Sequence, residues 1–258
     1  MPVAEYIAPT TLADALQLKQ ERGADARVIA GGTDLILRMR DKVLSPTLLI
    51  DLRRIALDGI STTANAMRIG AYVTLEQLLA SADMASLFPA IPAACRELAG
   101  PPIRNRGTLG GNIVNASPAA DLVPSLIAYD AGIVLSSSAG ERVLPLVEFF
   151  VAPGQNVMEP SEILTEIQLT LMPARSAAAF IKLGQRRSMA ISQVSVAARL
   201  SVDESGAISE ARIVLGSVAP TPYRVVAAEQ ILLGEDPSEQ VFLAAAQKAQ
   251  EEITPISD

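Results

Sequence analysis

Residues 27–40 read RVIAGGTDLILRMR, a short apolar run that meets two consecutive glycines, with an amphipathic segment starting directly after Thr33 and Asp34. Two glycines between ordered elements need a physical reason. Either the turn requires left-handed backbone, or something lies against a main chain stripped of Cβ atoms. The run before the bend predicts a strand, and the segment after it predicts a short helix. Upstream, TTLADALQLKQERG (10–23) carries a threonine cap, helically spaced apolar residues and a closing glycine, so it predicts an amphipathic helix. Downstream, TLLIDLR (47–53) predicts a second strand. The first fifty-odd residues thus alternate helix and strand.

Further along, MRIGAYVTLEQLLAS (67–81) repeats the strand-then-helix theme, and MASLFPAIPAACRELAG (84–100) predicts helix interrupted by proline. PPIRNRGTLGGNIVNASPAADLVPSLIAYD (101–130) predicts a long loop rich in Gly, Asn, Ser and Pro that ends in a short apolar helix. Residues 132–171 predict antiparallel strands joined by turns. MPARSAA (172–178) is the expected linker. Beyond it, a hairpin turning at ESG (204–206) and helices over 224–233 and 237–252 predict a separate α+β unit.

A hydrophobic fraction of 50% with 19% charged residues predicts a sizeable core. The net charge of −7 argues against a nucleic-acid partner, although Arg and Lys cluster at Arg53–Arg54, Arg104–Arg106 and Lys182–Arg187. The chain has no His and one Cys, Cys95. That composition excludes Ser-His-Asp and Cys-His catalysis, His-based zinc sites, a flavin tethered through histidine, and an iron–sulfur cluster held within this chain. A lone Cys points to a reducing compartment, and its expected role is a buried small hydrophobe. With no basic leader ahead of an apolar core and no run long enough to span a bilayer, the expectation is a soluble, cytoplasmic protein.

Two segments could carry chemistry: AGGTD (30–34) and RGTLGGNIVNASPAAD (106–121). Each sets Gly-Gly beside short polar side chains. Bare main chain lets a ligand approach, and successive N–H groups can converge on an anion. A helix opening at Thr33 adds the partial positive charge of its first turn. The rival reading is that each Gly-Gly is only a turn needing positive φ. Neither the Walker lysine nor the spacing of the dinucleotide-fold fingerprint is present.

At these residues the sequence resembles the FAD-binding medium subunit of the molybdenum hydroxylases, a family that includes the carbon monoxide dehydrogenase medium subunit and the flavin domain of xanthine dehydrogenase. The resemblance runs through YIAPTTLADAL, AGGTDLILRMR, IGAYVTLEQL, SEILTEIQL and FIKLGQRRSMAISQVSVAA to the terminal TPISD. It is strongest in IRNRGTLGGNIVNASPAADLVPSL. It implies an α+β fold: a two-subdomain FAD-binding domain of the PCMH type over 1–172, split near residue 55, then a smaller C-terminal domain over 178–258 with an antiparallel sheet and helices.

The resemblance also implies site residues. Val28, Ile29, Ala30, Gly31, Gly32, Thr33, Asp34 and Leu35 would wrap the FAD diphosphate, and Gly107, Thr108, Gly110, Gly111 and Asn112 would complete the cradle. Asn115 would lie near the flavin end, and Asp121 would accept hydrogen bonds from sugar or ribityl hydroxyls. Leu98 would pack on the adenine, Leu164 would meet the flavin region, and Lys182 would stand at the isoalloxazine end. Each has a plainer alternative: Asp34 and Asp121 as helix-terminal carboxylates, Lys182 as a solvated strand residue, Asn115 as a turn side chain, Leu98 and Leu164 as core. Arg104 and Arg106, whose plainer alternative is solvated turn residues, are expected to face a partner or order the loop rather than touch the flavin. Gly110 is expected at positive φ on the phosphate path, so that Gly110→Val would abolish FAD retention and leave the fold largely intact.

The function implied is an electron-transfer flavoprotein subunit of a molybdenum-containing hydroxylase or dehydrogenase, holding FAD non-covalently and passing electrons from the [2Fe–2S] clusters of a partner subunit to an external acceptor. Its partners would be a small [2Fe–2S] subunit and a large molybdopterin subunit, assembled as a dimer of heterotrimers. No catalytic acid or base and no metal ligand is expected in this chain. Two other classes compete: a stand-alone flavin-dependent reductase, and a non-catalytic nucleotide-binding scaffold.

Overall fold

The computed structural model describes residues 5–186 and 189–255, so Arg187 of the third basic cluster and residues 256–258 of the closing TPISD lie outside the described residues. Three principal sheets follow one another along the chain. The first contains β1 (Glu5–Ile7), β2 (Ala26–Ile29) and β3 (Leu48–Asp51), in the order β1-β3-β2. All its pairings are parallel, and β3, buried along its whole length, lies in the middle. The crossovers are α1 (Leu12–Arg22) and α2 (Leu35–Arg40). Helix α1 begins where the Thr11 hydroxyl accepts from the Asp14 N–H, and ends where Gly23 takes φ +52°. The Lys19 ammonium folds over that end, donating to the carbonyls of Gly23 at 3.1 Å and Ala26 at 3.0 Å.

The second sheet is antiparallel, in the order β4 (Ile60–Thr62), β5 (Ala66–Gly70), β10 (Ile163–Thr170), β6 (Gly132–Ser137), β7 (Gly140–Pro145). Between β5 and β6 run six short helices: α3 (Leu75–Ala80), α4 (Ala82–Leu87), α5 (Ala90–Glu97), α6 (Pro101–Arg104), α7 (Leu109–Val114) and α8 (Leu122–Ala128). The break between α4 and α5 falls at Phe88 and Pro89, as the proline pattern predicts. Residues 101–116 are not the open loop expected of them, since both α6 and α7 lie there. A ribbon of β8 (Phe150–Ala152) and β9 (Gln155–Asn156) follows β7. The largest core gathers Met67, Ile69, Phe88, Ile91 and Tyr129 among others. There Phe88 and Tyr129 meet edge-to-face at 5.1 Å, and the Tyr129 hydroxyl oxygen accepts from the Ala90 N–H.

The third sheet runs β11 (Ser176–Gly184), β12 (Ser192–Val202), β13 (Ile208–Gly216), β14 (Tyr223–Arg224), all antiparallel. The β12–β13 turn carries Gly206 at φ +96°, where the ESG signal predicts it. One face contributes Phe180, Ala197 and Val214 to the core around α5 and α8. The other packs Val196, Leu200 and Ile213 under α9 (Val226–Leu232) and α10 (Glu239–Glu252). The third sheet is therefore the middle of three layers. Arg199, 4% exposed, fixes it to the second unit through the Asp130 carboxylate at 3.0 Å. Among the described residues, no helix is long and apolar enough to cross a membrane.

Candidate functional site

The site forms where the first unit's parallel strands end. Ile29 is the last residue of β2 and sits opposite Asp51, the last of β3. The chain then leaves the sheet through Ala30–Asp34, and Gly32 takes φ +72°, a left-handed position natural to glycine. Gly31 serves a different end. A Cβ placed on it would lie 1.8 Å from the Arg106 carbonyl oxygen and 3.1 Å from the Gly107 Cα. The two glycine bends, more than seventy residues apart in sequence, are thus in main-chain contact, and bare backbone is a condition of that contact. Arg106 Nε donates across it to the Gly31 carbonyl at 3.4 Å. On the far side, Arg38 of α2 donates to Asn115 Oδ1, also at 3.4 Å.

The bends differ in what they offer. The main-chain N–H groups of Gly31, Gly32, Thr33, Asp34 and Leu35 have no acceptor among the described residues. Five successive unsatisfied donors form the kind of concavity that binds anions. In the second bend three of the corresponding donors are committed: Leu109 N–H to Val73 O at 2.8 Å, Gly110 N–H to Ala71 O at 2.9 Å, and Gly111 N–H to the Thr108 hydroxyl at 3.1 Å, while the Thr108 N–H has no acceptor among the described residues. These bonds anchor α7 under the first bend. Gly110 accordingly departs from expectation. It is buried inside α7 without positive φ, and a Cβ there would meet Ala71 Cβ at 2.7 Å and Ala71 O at 2.8 Å. Its bareness lets helix approach strand, so Gly110→Val would disrupt the fold itself.

Gly111 is exposed, and beside it Asn112 Oδ1 is a buried acceptor with no partner among the described residues. Such an orphan costs free energy unless a donor reaches it. Thr108 is buried and caps α7. Val28, Ala30 and Leu35 are half-buried and Ile29 is buried, so only part of the first stretch faces the bend. Asp34 is exposed, makes no capping hydrogen bond, and lies 3.8 Å from Arg38.

Asp121 and Lys182 come together, though not as two separate contact points. Lys182 Nζ meets Asp121 Oδ2 at 2.6 Å, with both side chains under a tenth exposed. The same ammonium donates to Ala190 O at 2.8 Å and Glu97 O at 3.2 Å, so all three of its donors are taken. Asp121 makes no bond as a helix cap; its other oxygen accepts from the Ser192 hydroxyl. The reading of Lys182 as a solvated strand residue therefore fails. This pair joins the second unit to the third. Leu98 closes α5, half-buried; Leu164 is 4% exposed and lies under Gly110, as core.

Arg104 orders the loop, as one of its two expected roles. It donates to Glu76 at 2.9 Å and to the carbonyls of Leu98 and Ala99, holding Ala99 at φ +49°. Ser192 and Arg38 were not expected at the site. Ser192 has no sequence signal, whereas Arg38 stands four residues after Asp34 on α2, a legible helical pairing. Cys95 is fully buried, and burial pushes its thiol up to about 12, which removes it from redox chemistry. Among the described residues, no group of His, Cys, Asp and Glu could hold a metal ion.

Comparisons with known proteins cover both halves of the chain. Residues 2–171 match the FAD binding domain in molybdopterin dehydrogenase, and residues 179–258 match the CO dehydrogenase flavoprotein C-terminal domain. The nicotinate dehydrogenase FAD-subunit of Eubacterium barkeri is 35% identical over 235 residues, covering 89% of this chain and 79% of its own. The carbon monoxide dehydrogenase medium chain of Hydrogenophaga pseudoflava is 32% identical over 250 residues, covering 96% and 86%. A solved structure of carbon monoxide dehydrogenase from that organism, lacking the Mo-pyranopterin moiety of its cofactor, superimposes with a TM-score of 0.94 at 33% identity, over 100% of this chain and 89% of that one. With both domains matched and the bends in contact, this chain belongs to the family of FAD-binding medium subunits of molybdenum hydroxylases and is an oxidoreductase flavoprotein subunit.

Proposed function

We propose that the chain relays electrons within such an enzyme, holding FAD non-covalently against the joined bends while partner subunits carry the remaining centres. The observation that carries this reading is the run of five unsatisfied N–H groups from Gly31 to Leu35 beside the left-handed Gly32. A dinucleotide diphosphate fits that donor set without a lysine, even on a chain of net charge −7. Gly107, Thr108 and Gly111 would form the facing wall, Asn112 Oδ1 would accept a hydrogen bond from the ligand, and Leu98 would supply an apolar surface. Gly110 and Leu164 act from beneath, by letting α7 sit close. Asp121 and Lys182 would hold the far end of the site as a fixed pair; with all three Lys182 donors taken, the remaining lone pairs of the Asp121 carboxylate would be what a sugar hydroxyl could reach.

When bound, FAD would supply a centre able to take electrons singly from a partner's clusters and give them up in pairs to an external acceptor. The chain's own residues bind, orient and shield; none needs to move a proton, in keeping with the missing His. The proposed partners are a small [2Fe–2S] subunit and a large molybdopterin subunit in a heterotrimer, itself paired. The expressed chain, stripped of small molecules, should take up FAD with a flavin visible spectrum and, photoreduced with oxygen excluded, should stay reduced until its partner subunits are added in oxidised form. A chain that stays colourless in excess FAD would refute the cofactor assignment, and oxidised partner subunits that leave the flavin reduced with oxygen excluded would refute the relay.

A further inference from the structure

The two arginines that cross between the bends do more than fasten them. Arg106 leaves the second bend and reaches the Gly31 carbonyl of the first; Arg38 leaves the helix after the first bend and reaches Asn115 beyond the second. Both bonds are long, at 3.4 Å, near the limit for a hydrogen bond. Neither guanidinium is buried: the Arg38 side chain is 37% exposed, and Arg106 is an exposed residue. Among the described residues each uses one donor of five on its strap, and Arg38 has only a 3.8 Å ion pair with Asp34 besides. The neighbouring cations are not available, since Lys182 has three acceptors and Arg104 is bound to Glu76 and two carbonyls.

We infer that Arg38 and Arg106 are the site's mobile counter-charges, whose spare N–H groups turn onto the dinucleotide diphosphate as it enters. The inference rests on the FAD reading above. Backbone N–H groups supply only partial charges, whereas a diphosphate brings two full negative charges to an acidic chain. The loose straps keep the bends in register beforehand and give up little when they exchange.

Titration of the stripped full chain with FAD, across a range of NaCl concentrations, tests this. Arg38→Gln and Arg106→Gln should each weaken FAD binding about 5- to 10-fold at low salt, the discounted worth of a half-exposed charge–phosphate contact. That difference should shrink as salt rises, and Arg38→Lys and Arg106→Lys should recover most of the affinity. Urea midpoints of the ligand-free variants, unchanged from the parent chain, confirm that the fold is intact. Glutamine variants that bind FAD within twofold of the parent at low salt overturn the inference. So does a loss equal in glutamine and lysine variants and indifferent to salt, which would leave the arginines as straps alone. A parent chain that binds no FAD fails earlier and takes the cofactor reading down with it.

Discussion

Gly31→Ala is the most direct probe of the contact on which the site depends. The added Cβ would stand 1.8 Å from the Arg106 carbonyl oxygen and 2.6 Å from its carbonyl carbon, while real Cβ atoms essentially never come within 3.0 Å of another heavy atom. The bends must therefore part by at least 1.2 Å, and the obstructing atoms are backbone, so no side-chain rotation can relieve them. Gly31 has no positive φ, so alanine brings no conformational strain of its own and the whole effect is overlap. Overpacking of this kind costs about 1–3 kcal/mol. If the displacement falls on the cradle, about 2 kcal/mol of it appears as a loss of roughly 30-fold in FAD affinity. Gly23→Ala is the matched control. Its φ of +52° makes alanine strained by about 1 kcal/mol, yet nothing lies within 4 Å of the new atom and the position is far from the bends. Fluorescence titration with FAD, together with urea denaturation of both variants, separates the two losses. Gly23→Ala should lose stability and keep its affinity; Gly31→Ala should lose affinity. A Gly31→Ala chain that binds FAD within threefold of the parent would show that contact between the bends is not what shapes the site.

Breaking the Asp121–Lys182 pair from one side strands a buried charge. Asp121→Asn and Lys182→Met should each cost about 3–5 kcal/mol, and the double variant less than their sum, as read from urea midpoints; strict additivity would contradict the pairing. Burial lowers the Lys19 ammonium from 10.5 to about 8. Between those values the unfolded chain holds the extra proton, so this residue's contribution to stability rises with pH across the window and its penalty is complete below about 8. Lys19→Met should abolish that rise in denaturation curves taken from pH 7.5 to 10, and a parent and variant with parallel pH profiles would refute the assignment. Cys95, its thiol pushed up to about 12 by burial, should resist iodoacetamide at pH 8 until urea unfolds the chain, and labelling of the native protein would refute its inertness.

What the sequence discloses and what it hides divide along a physical line. The alternation of helix and strand through residue 51, the proline break at Pro89 and the hairpin at Gly206 are local: caps, periodicity and turn residues act over a few positions, and each stands where those signals place it. The glycines are legible as unusual but not in their purpose. Gly31, Gly32 and Gly110 look alike on the page, yet one admits a neighbouring main chain, one supplies left-handed backbone, and one lets α7 settle on Ala71. Those roles are set by residues 71 and 106, far away in sequence. The same holds for charge. Lys182 on a strand and Asp121 ahead of a helix each have an ordinary local explanation, and only the packing of β11 and β12 against α5 and α8 turns them into one buried pair with Ser192. The division of labour between the bends follows from this. Because Val73 O, Ala71 O and the Thr108 hydroxyl claim the N–H groups of Leu109, Gly110 and Gly111, the second bend keeps the Thr108 N–H as its one donor without an acceptor among the described residues, against five in the first, and it serves mainly as the platform that aims them.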